Sequence, residues 1–427
     1  MQEPPSYADW LVRYGITKDS EIANSSIFKT KEIARSAFSK LVLITTIARF
    51  PYDSFCIENL NGENWQFGLK DFNWDYIIFD EASMISLASI VYTIYYVNQR
   101  KPDCKFIIGG DPFQLSPVIH VAHDGWKDGN IYTLVGLDQE NSFINPDTKP
   151  HKYKVENLET QYRSIERLGK IFSDFRYNGK LKHHRSDEDI NEIEVAKLPL
   201  EAITIIDFKV SKFESIYKPR KVKGSNYQIY SAILTVELIK YIVENITILN
   251  DGKYKIGVIS PYRIQSNIID KLLSKLVISS EIEIITGTVH SFQGDECEMI
   301  INLLNPPKSV SESEEIFLNK KNLLNVSISR AKDYLILLMP VDKLQSIQTD
   351  KLKHINTIKN LSLPVSMNYD SEDIEEIILG GKNVIEDFSF PTTHQDVNVY
   401  VEPEKKYEIR YDDNAVDIQV KLKDLDQ

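Results

Sequence analysis

Six short apolar runs, each delivered into a polar or glycine turn, constrain this chain more than any other feature. Tyr76-Ile-Ile-Phe79 runs into Asp80, and Lys105-Phe-Ile-Ile108 runs into Gly109-Gly110-Asp111. Tyr254-Lys-Ile-Gly-Val-Ile259 runs into Ser260-Pro261-Tyr262. Ile282-Glu-Ile-Ile285 precedes Thr286-Gly287, Met299-Ile-Ile-Asn-Leu303 follows, and Tyr334-Leu-Ile-Leu-Leu338 comes last. Short continuous apolar runs bounded by turn residues read as buried parallel strands. Between them, Tyr227 to Glu244 reads as a helix, with Ile229, Ile233, Val236 and Ile242 apolar. The pattern is α/β, with polar residues at strand ends, where such sheets place their sites.

The 427 residues suffice for two or three domains with their own cores. Cys56, Cys104 and Cys297 lie far apart, which excludes a disulfide framework and a Cys-rich zinc module and fits a reducing, intracellular compartment, cytoplasmic or nuclear. The opening Met1-Gln-Glu-Pro-Pro is neither basic nor apolar, so no signal peptide is expected. The uncharged stretch Ser83 to Val97 is too short for a bilayer and reads as a buried core helix, so no membrane partner is expected. The net charge of −12 argues against binding nucleic acid by bulk charge. Residues 341–427 hold 18 acids and 10 bases, so most of the excess lies there. The rest is near neutral and leaves room for a local channel of backbone amides, hydroxyls and a few bases.

Asn145-Pro-Asp-Thr-Lys-Pro150 breaks any regular element and marks one boundary. Residues 181–225 are charged and mixed, with His183-His184-Arg185, read as an exposed loop, and a basic run from Lys218 to Lys223. A second boundary is set near 345. Beyond it Asp370 to Glu376 reads as an exposed acidic helix, and Val397 to Val420 as a small antiparallel unit.

Several stretches carry chemistry. Asp80-Glu81 at a strand end suits an Asp that organises a Mg²⁺ shell and a Glu that polarises water, as hydrolysis of a nucleoside triphosphate requires. The plainer reading is a solvated helix N-terminus. Gly109-Gly110-Asp111-Pro112-Phe113-Gln114-Leu115-Ser116-Pro117 is more specific: glycines give a tight path, and Gln114 suits a γ-phosphate or its attacking water. Arg163, in Gln161-Tyr162-Arg163-Ser164, and Arg330, in Ser327-Ile328-Ser329-Arg330-Ala331-Lys332, are candidate arginine fingers, because the guanidinium fork meets phosphate oxygens bidentately. For either one taken alone a surface salt bridge is the simpler reading. Gly287-Thr288-Val289-His290-Ser291-Phe292-Gln293-Gly294-Asp295-Glu296 combines hydroxyl donors, a glycine and an acid. Thr288 and Ser291 suit phosphate contacts and Glu296 a ribose hydroxyl. His290 has no second His or Cys at ligand spacing and reads as structural or backbone-contacting.

Taken in order, these segments resemble the superfamily 1 helicases of the 5′-to-3′ branch, which include RNA-surveillance and replication-associated helicases. Residues 76–83 are similar to motif II, 108–118 to motif III, and 158–164 to motif IV. Ser260-Pro261-Tyr262-Arg263-Ile264-Gln265 is similar to motif IVa, 286–298 to motif V, and 323–332 to motif VI. Leu41-Val-Leu-Ile-Thr-Thr46 resembles the segment before motif II that touches the nucleic-acid backbone, and Ser225-Asn226 is also family-like. The resemblance spans about residues 10–345.

The resemblance implies two tandem RecA-like P-loop NTPase domains with parallel sheets, residues 1–148 and 149–345, followed by a small acidic, β-containing tail domain at 346–427. It implies ATP and Mg²⁺ as cofactors and single-stranded DNA or RNA as partner, with ATP hydrolysed between the two domains. Asp80 would hold the metal shell, and Glu81, Gln114, Arg163 and Arg330 would be catalytic. Gly294 and Glu296 would border the nucleotide. Thr45, Ser260 and Thr288 would touch the nucleic acid.

One departure stands out: no Gly-x-x-x-x-Gly-Lys-Ser/Thr occurs anywhere in the 427 residues. That loop's amides and Lys cradle the β- and γ-phosphates. The first domain is therefore expected to be truncated at its N-terminus and the chain to be impaired alone. The alternatives are a noncatalytic nucleic-acid-binding remnant and one half of a split helicase whose partner chain supplies the loop.

Overall fold

The computed structural model describes residues 44–386, apart from 53, 59–63, 69, 71–72, 118–128, 139–153, 215, 250–252, 277, 293 and 314–315, together with the strands at 407–410 and 419–422. The chain divides into two units. The first comprises Met1–Pro112 and Ser116–Leu137, the second Phe113–Leu115 and Asp138–Gln427.

In the first unit, β1 (Ser54–Glu58) and β2 (Asn64–Gly68) form an antiparallel hairpin. β3 (Tyr76–Phe79) and β4 (Lys105–Ile108) pair in parallel, joined by α1 (Leu87–Arg100). Ser86 caps α1 by accepting the Ser89 N–H on its side chain. The pleat sends Ile77, Phe79, Phe106 and Ile108 toward Ile90 in one core. Tyr76, Ile78 and Ile107, on the alternate positions, are exposed. The apolar stretch expected to be a buried helix is buried on one side only: Leu87, Ile90 and Val97 face inward, while Val91, Tyr92 and Tyr95 face out. A short helix, α2 (Ile131–Val135), is capped by Asn130, whose Oδ1 accepts the Tyr132 and Thr133 N–H groups.

The second unit begins with a parallel pair, β5 (Thr160–Ile165) and β6 (Lys182–Arg185), linked by α3 (Glu166–Arg176). Next come β7 (Ile193–Val195), β8 (Ile203–Lys209), the hairpin β9 (Arg220–Val222) and β10 (Ser225–Tyr227), and α4 (Ile229–Asn245). They are followed by β11 (Ile246–Ile248), β12 (Tyr254–Ser260), α5 (Arg263–Leu273), β13 (Ile282–Thr288), β14 (Cys297–Leu303), α6 (Lys321–Ile328) and β15 (Ala331–Val341). α7 (Lys353–Ser362), β16 (Met367–Asp370) and α8 (Ser371–Leu379) complete the packed part, and β17 (Tyr407–Arg410) pairs antiparallel with β18 (Gln419–Leu422).

The centre is a six-stranded sheet in the order β13-β12-β14-β15-β8-β16, every neighbouring pair parallel. A parallel sheet covered on both faces takes continuous apolar runs, and Tyr334 to Met339 of β15 are all buried. Each such side chain contributes about 1.5–3 kcal/mol. The expected helix at 227–244 is α4, whose Tyr230, Leu234, Leu238 and Ile242 enter this core.

Three expectations are corrected here. The boundary near 345 does not hold, because β16 joins the main sheet beside β8 and residues 346–379 pack as part of the unit. The expected exposed helix at 370–376 is α8, with Ser371, Ile374 and Glu375 buried; Glu375 accepts the Tyr230 hydroxyl at 2.6 Å. His183-His184-Arg185 is strand β6, not an exposed loop. His183 packs half-buried against Gln161, with 3.1 Å between His183 Nδ1 and Gln161 Nε2. The boundary expected around 145–150 lies outside the described residues, while the two units part between Leu137 and Asp138.

Candidate functional site

β3 ends in the first-unit acids. Asp80 is exposed, and its Oδ1 accepts the Glu81 N–H at 2.9 Å. Glu81 is left-handed, with φ at 49°, which costs a residue with a Cβ about 1–2 kcal/mol. It opens the tight turn Ala82–Met84, and Ala82 N–H donates to the Gly109 carbonyl at 3.0 Å. The two turns at the strand ends are thereby locked together. Gly110 has φ of 142°, and a Cβ there would meet Ala82 N at 2.8 Å, so only glycine fits. Tyr132 backs this corner: burial, then the charges of Asp111, Glu81 and Asp80, push its phenol up to about 12.

Among the described residues, no three His, Cys, Asp or Glu side chains group closely enough to hold a metal ion. One exposed hard carboxylate is instead what Mg²⁺ uses when it keeps most of its waters and arrives with phosphates. The Asp80 donor fits that mode of binding.

In the second unit, the candidate residues converge from four segments. Arg163, on β5, donates from Nε to Glu296 Oε2 at 2.8 Å and from Nη1 to the Ser329 carbonyl at 3.1 Å. Glu296 also pairs with Lys332 Nζ at 3.1 Å, and Lys332 reaches Glu298 at the same distance. The Arg163 hydrogen bond holds the Glu296 carboxyl below the usual range, and Lys332 adds to the effect. Arg330 is buried, at 2% exposed. Its Nε donates to the Val326 carbonyl at 3.2 Å and its Nη2 to Gln114 Oε1 at 3.1 Å. The surface-salt-bridge reading therefore fails for Arg330. Gln114 is held from both sides by buried neighbours, Phe113 and Leu115. Asn325 Nδ2 donates to the Phe113 carbonyl at 3.0 Å, and Arg176 lies 4.3 Å from the Phe113 ring centroid.

The turn after β13 is tightly built. Thr288 O accepts from Ser291 Oγ at 2.8 Å and from Ser291 N at 3.0 Å. A Cβ on Gly287 would fall 2.2 Å from Ser291 Oγ and 3.0 Å from the Phe292 ring. Gly294 is left-handed at 88° and opens to solvent. Gln293 lies outside the described residues.

Of the expected nucleic-acid contacts, Thr45 is exposed and Thr288 is half-buried. Ser260 is buried at 1%, its Oγ 3.4 Å from both Asn305 Oδ1 and the Tyr262 carbonyl. Its hydroxyl orders the turn rather than facing outward. Leu41 to Leu43 of the expected first-unit contact segment lie outside the described residues.

Sequence reasoning passed over two basic residues that shape the site. Lys332 lies two positions beyond Arg330 on the same strand start, and that spacing was its only signal. Arg185 donates to the Arg163 carbonyl at 2.7 Å, the Lys332 carbonyl at 3.2 Å and Asp333 Oδ1 at 2.6 Å. It ties the two arginine-bearing segments together and had no local signal beyond its charge.

Comparison with known proteins follows the same lines. Residues 140–341 match the family model of an AAA domain. The chain is 30% identical over 278 residues to an uncharacterized ATP-dependent helicase of Methanocaldococcus jannaschii, covering 63% of this chain and 36% of that one. It is 26% identical over 326 residues to the DNA polymerase alpha-associated DNA helicase A of Saccharomyces cerevisiae, covering 73% and 44%. With the yeast DNA replication ATP-dependent helicase/nuclease DNA2 it shares 27% over 291 residues, covering 64% and 18%. The structure of an arterivirus nonstructural protein 10 helicase aligns at a TM-score of 0.27 and 12% identity, over 63% of this chain and 40% of that one.

The AAA-domain match and the likeness to proteins named as ATP-dependent helicases support a superfamily 1 helicase-like family. The chain spans less than half the length of each of these curated relatives. Among the described residues, no helix is long and apolar enough to cross a membrane.

Proposed function

We propose that this chain serves an ATP-dependent helicase or translocase acting on single-stranded nucleic acid, with two RecA-like domains in tandem. What carries the reading is the convergence of Gln114, Arg163, Glu296 and Arg330 within one unit, with Arg330 bonded to Gln114. Four candidates scattered over more than two hundred positions meet only if the fold selects for it.

In this reading Asp80 would hold the Mg²⁺ that accompanies ATP, which would supply positive charge against the phosphates. Glu81 orients the attacking water and accepts its proton. Gln114 senses the γ-phosphate, and Arg163 and Arg330 stabilise charge that develops on the transferring oxygens. Glu296 and Gly294 border the nucleotide. Thr45 and Thr288 contact the strand, with Ser260 ordering the turn at Tyr262. The phosphate-binding loop comes from outside these 427 residues, and a partner chain is one source.

Steady-state ATPase with saturating single strands tests this. The chain alone is expected to turn over poorly, and addition of the loop-bearing segment is expected to restore turnover that Glu81→Gln abolishes. Robust, Glu81-dependent turnover by the chain alone would show that a different segment supplies the phosphate site. No turnover with the loop restored, but retained strand binding, would leave the noncatalytic reading.

A further inference from the structure

The C-terminal ends of β12, β13 and β14 carry a group of rings that the nucleotide reading does not use. Tyr262 follows β12, His290 follows β13, and Phe317 sits in the short turn Phe317–Asn319 beyond β14. The Phe317 ring centroid lies 6.1 Å from that of Tyr262 and 5.6 Å from that of His290. Both pairs are tilted, by 39° and 38°. Tyr262 is buried, whereas Phe317 and His290 are half-buried.

The turn that presents Phe317 is firmly anchored. Leu318, the next residue, is fully buried. Asn319 Nδ2 donates to the Ser311 carbonyl at 2.9 Å and the Ser313 carbonyl at 3.2 Å. A large ring left partly open on an anchored turn is a surface held ready for a flat partner.

Charge supports one class of partner. Burial, and after it the charge of exposed Lys320, lower the His290 pKa and so favour the neutral ring. Arg263, exposed, opens α5 next to Tyr262. Rings bordered by cations match an unpaired base with its phosphates.

We propose that Phe317 and His290, with Tyr262 packed behind, form a base-stacking platform for single-stranded nucleic acid. The proposal rests on the nucleic-acid reading above and adds to it a contact with bases, where backbone contacts alone would be indifferent to them. Stacking of one base on an aromatic ring corresponds to about 5- to 150-fold in affinity.

The test is fluorescence anisotropy of the full chain with two labelled strands of equal length, an oligothymidylate and an abasic sugar-phosphate strand. The wild type is expected to prefer the oligothymidylate by a factor of that order. Phe317→Ala should lose the preference while binding the abasic strand as before, and Phe317→Trp should keep it. An unaltered thermal melt for Phe317→Ala separates loss of the ring from loss of the fold. Equal binding of both strands by the wild type, or a preference that survives Phe317→Ala, overturns the platform while the nucleic-acid reading stands. Binding of neither strand overturns the nucleic-acid reading, and the platform with it.

Discussion

Arg330 Nη2 donates to Gln114 Oε1 at 3.1 Å, joining two side chains 216 positions apart in the chain. The guanidinium is almost wholly buried, and it also caps the Val326 carbonyl. A buried guanidinium is costly without acceptors, so Gln114 and the end of α6 together make the position tolerable. The group proposed to sense phosphate and the group proposed to answer charge on it are thus held in contact.

That contact should be energetically coupled. In a double-mutant cycle of Arg330→Lys and Gln114→Leu, read by urea unfolding, a coupling of about 1.5–3 kcal/mol is expected for a charged hydrogen bond. Additive effects would show the two residues to be independent. With the phosphate loop restored, Arg330→Ala should lower kcat by about 10³-fold or more while leaving nucleotide affinity largely unchanged.

The Arg163–Glu296 pair should behave differently. The two side chains are 30% and 43% exposed, so solvent screens the pair. Arg163→Ala or Glu296→Ala is expected to change stability by about 1 kcal/mol or less. Nucleotide turnover of the loop-restored protein should nonetheless fall, more in kcat for Arg163→Ala and more in KM for Glu296→Ala. Equal large losses of stability would make the pair a structural bridge.

Two truncations separate core from charge. Removing residues 346–427 takes away β16, α7 and α8, and with them Leu352, Ile358 and Ile374, all fully buried. At about 1.5–3 kcal/mol for each such side chain, the second unit should lose its cooperative melt. Removing only residues 391–427, which hold nine acids and five bases, should keep the melt. It should also tighten single-strand binding, most clearly at low salt where repulsion is least screened. Weaker binding would place those residues within the nucleic-acid site.

Stability should fall on mild acidification. Burial lowers the pKa of His183 in the folded chain below its unfolded value, which lies near 6.5. The unfolded chain therefore binds the proton first as pH drops. The stabilisation is complete above the unfolded value and is lost as pH falls through it toward the lower folded one. His290 shifts the same way, so the effects add. Melting temperatures from pH 7.5 down to 5.5 should decline for the wild type and decline less for His183→Gln. Parallel curves would remove His183 from the account.

The strand cores were legible in the sequence because a buried parallel strand is an uninterrupted apolar run, a property of five or six adjacent residues. β12, β13, β14 and β15 lie on such runs, as α4 does on its helical spacing; β3 and β4 also lie on apolar runs but leave Tyr76, Ile78 and Ile107 exposed. The segments carrying Asp80, Gln114, Arg163, Glu296 and Arg330 were legible for the same reason: each is a short local string. The order of the sheet was not, because β8 lies between β15 and β16 and nothing within Ile203–Lys209 names its neighbours. Nor could the sequence show that α8 is core. Its acidic surface pattern hides Glu375, which is buried where Tyr230, 145 positions earlier, and the Ile385 N–H both donate hydrogen bonds to it. The pairings of Arg163 with Glu296 and Arg330 with Gln114, and the clamp of Arg185 across both arginine-bearing segments, were decided in tertiary structure alone. Local periodicity and turn chemistry are written in neighbouring residues, whereas a hydrogen bond's partner is set by which distant segments the packed core brings within about 3 Å.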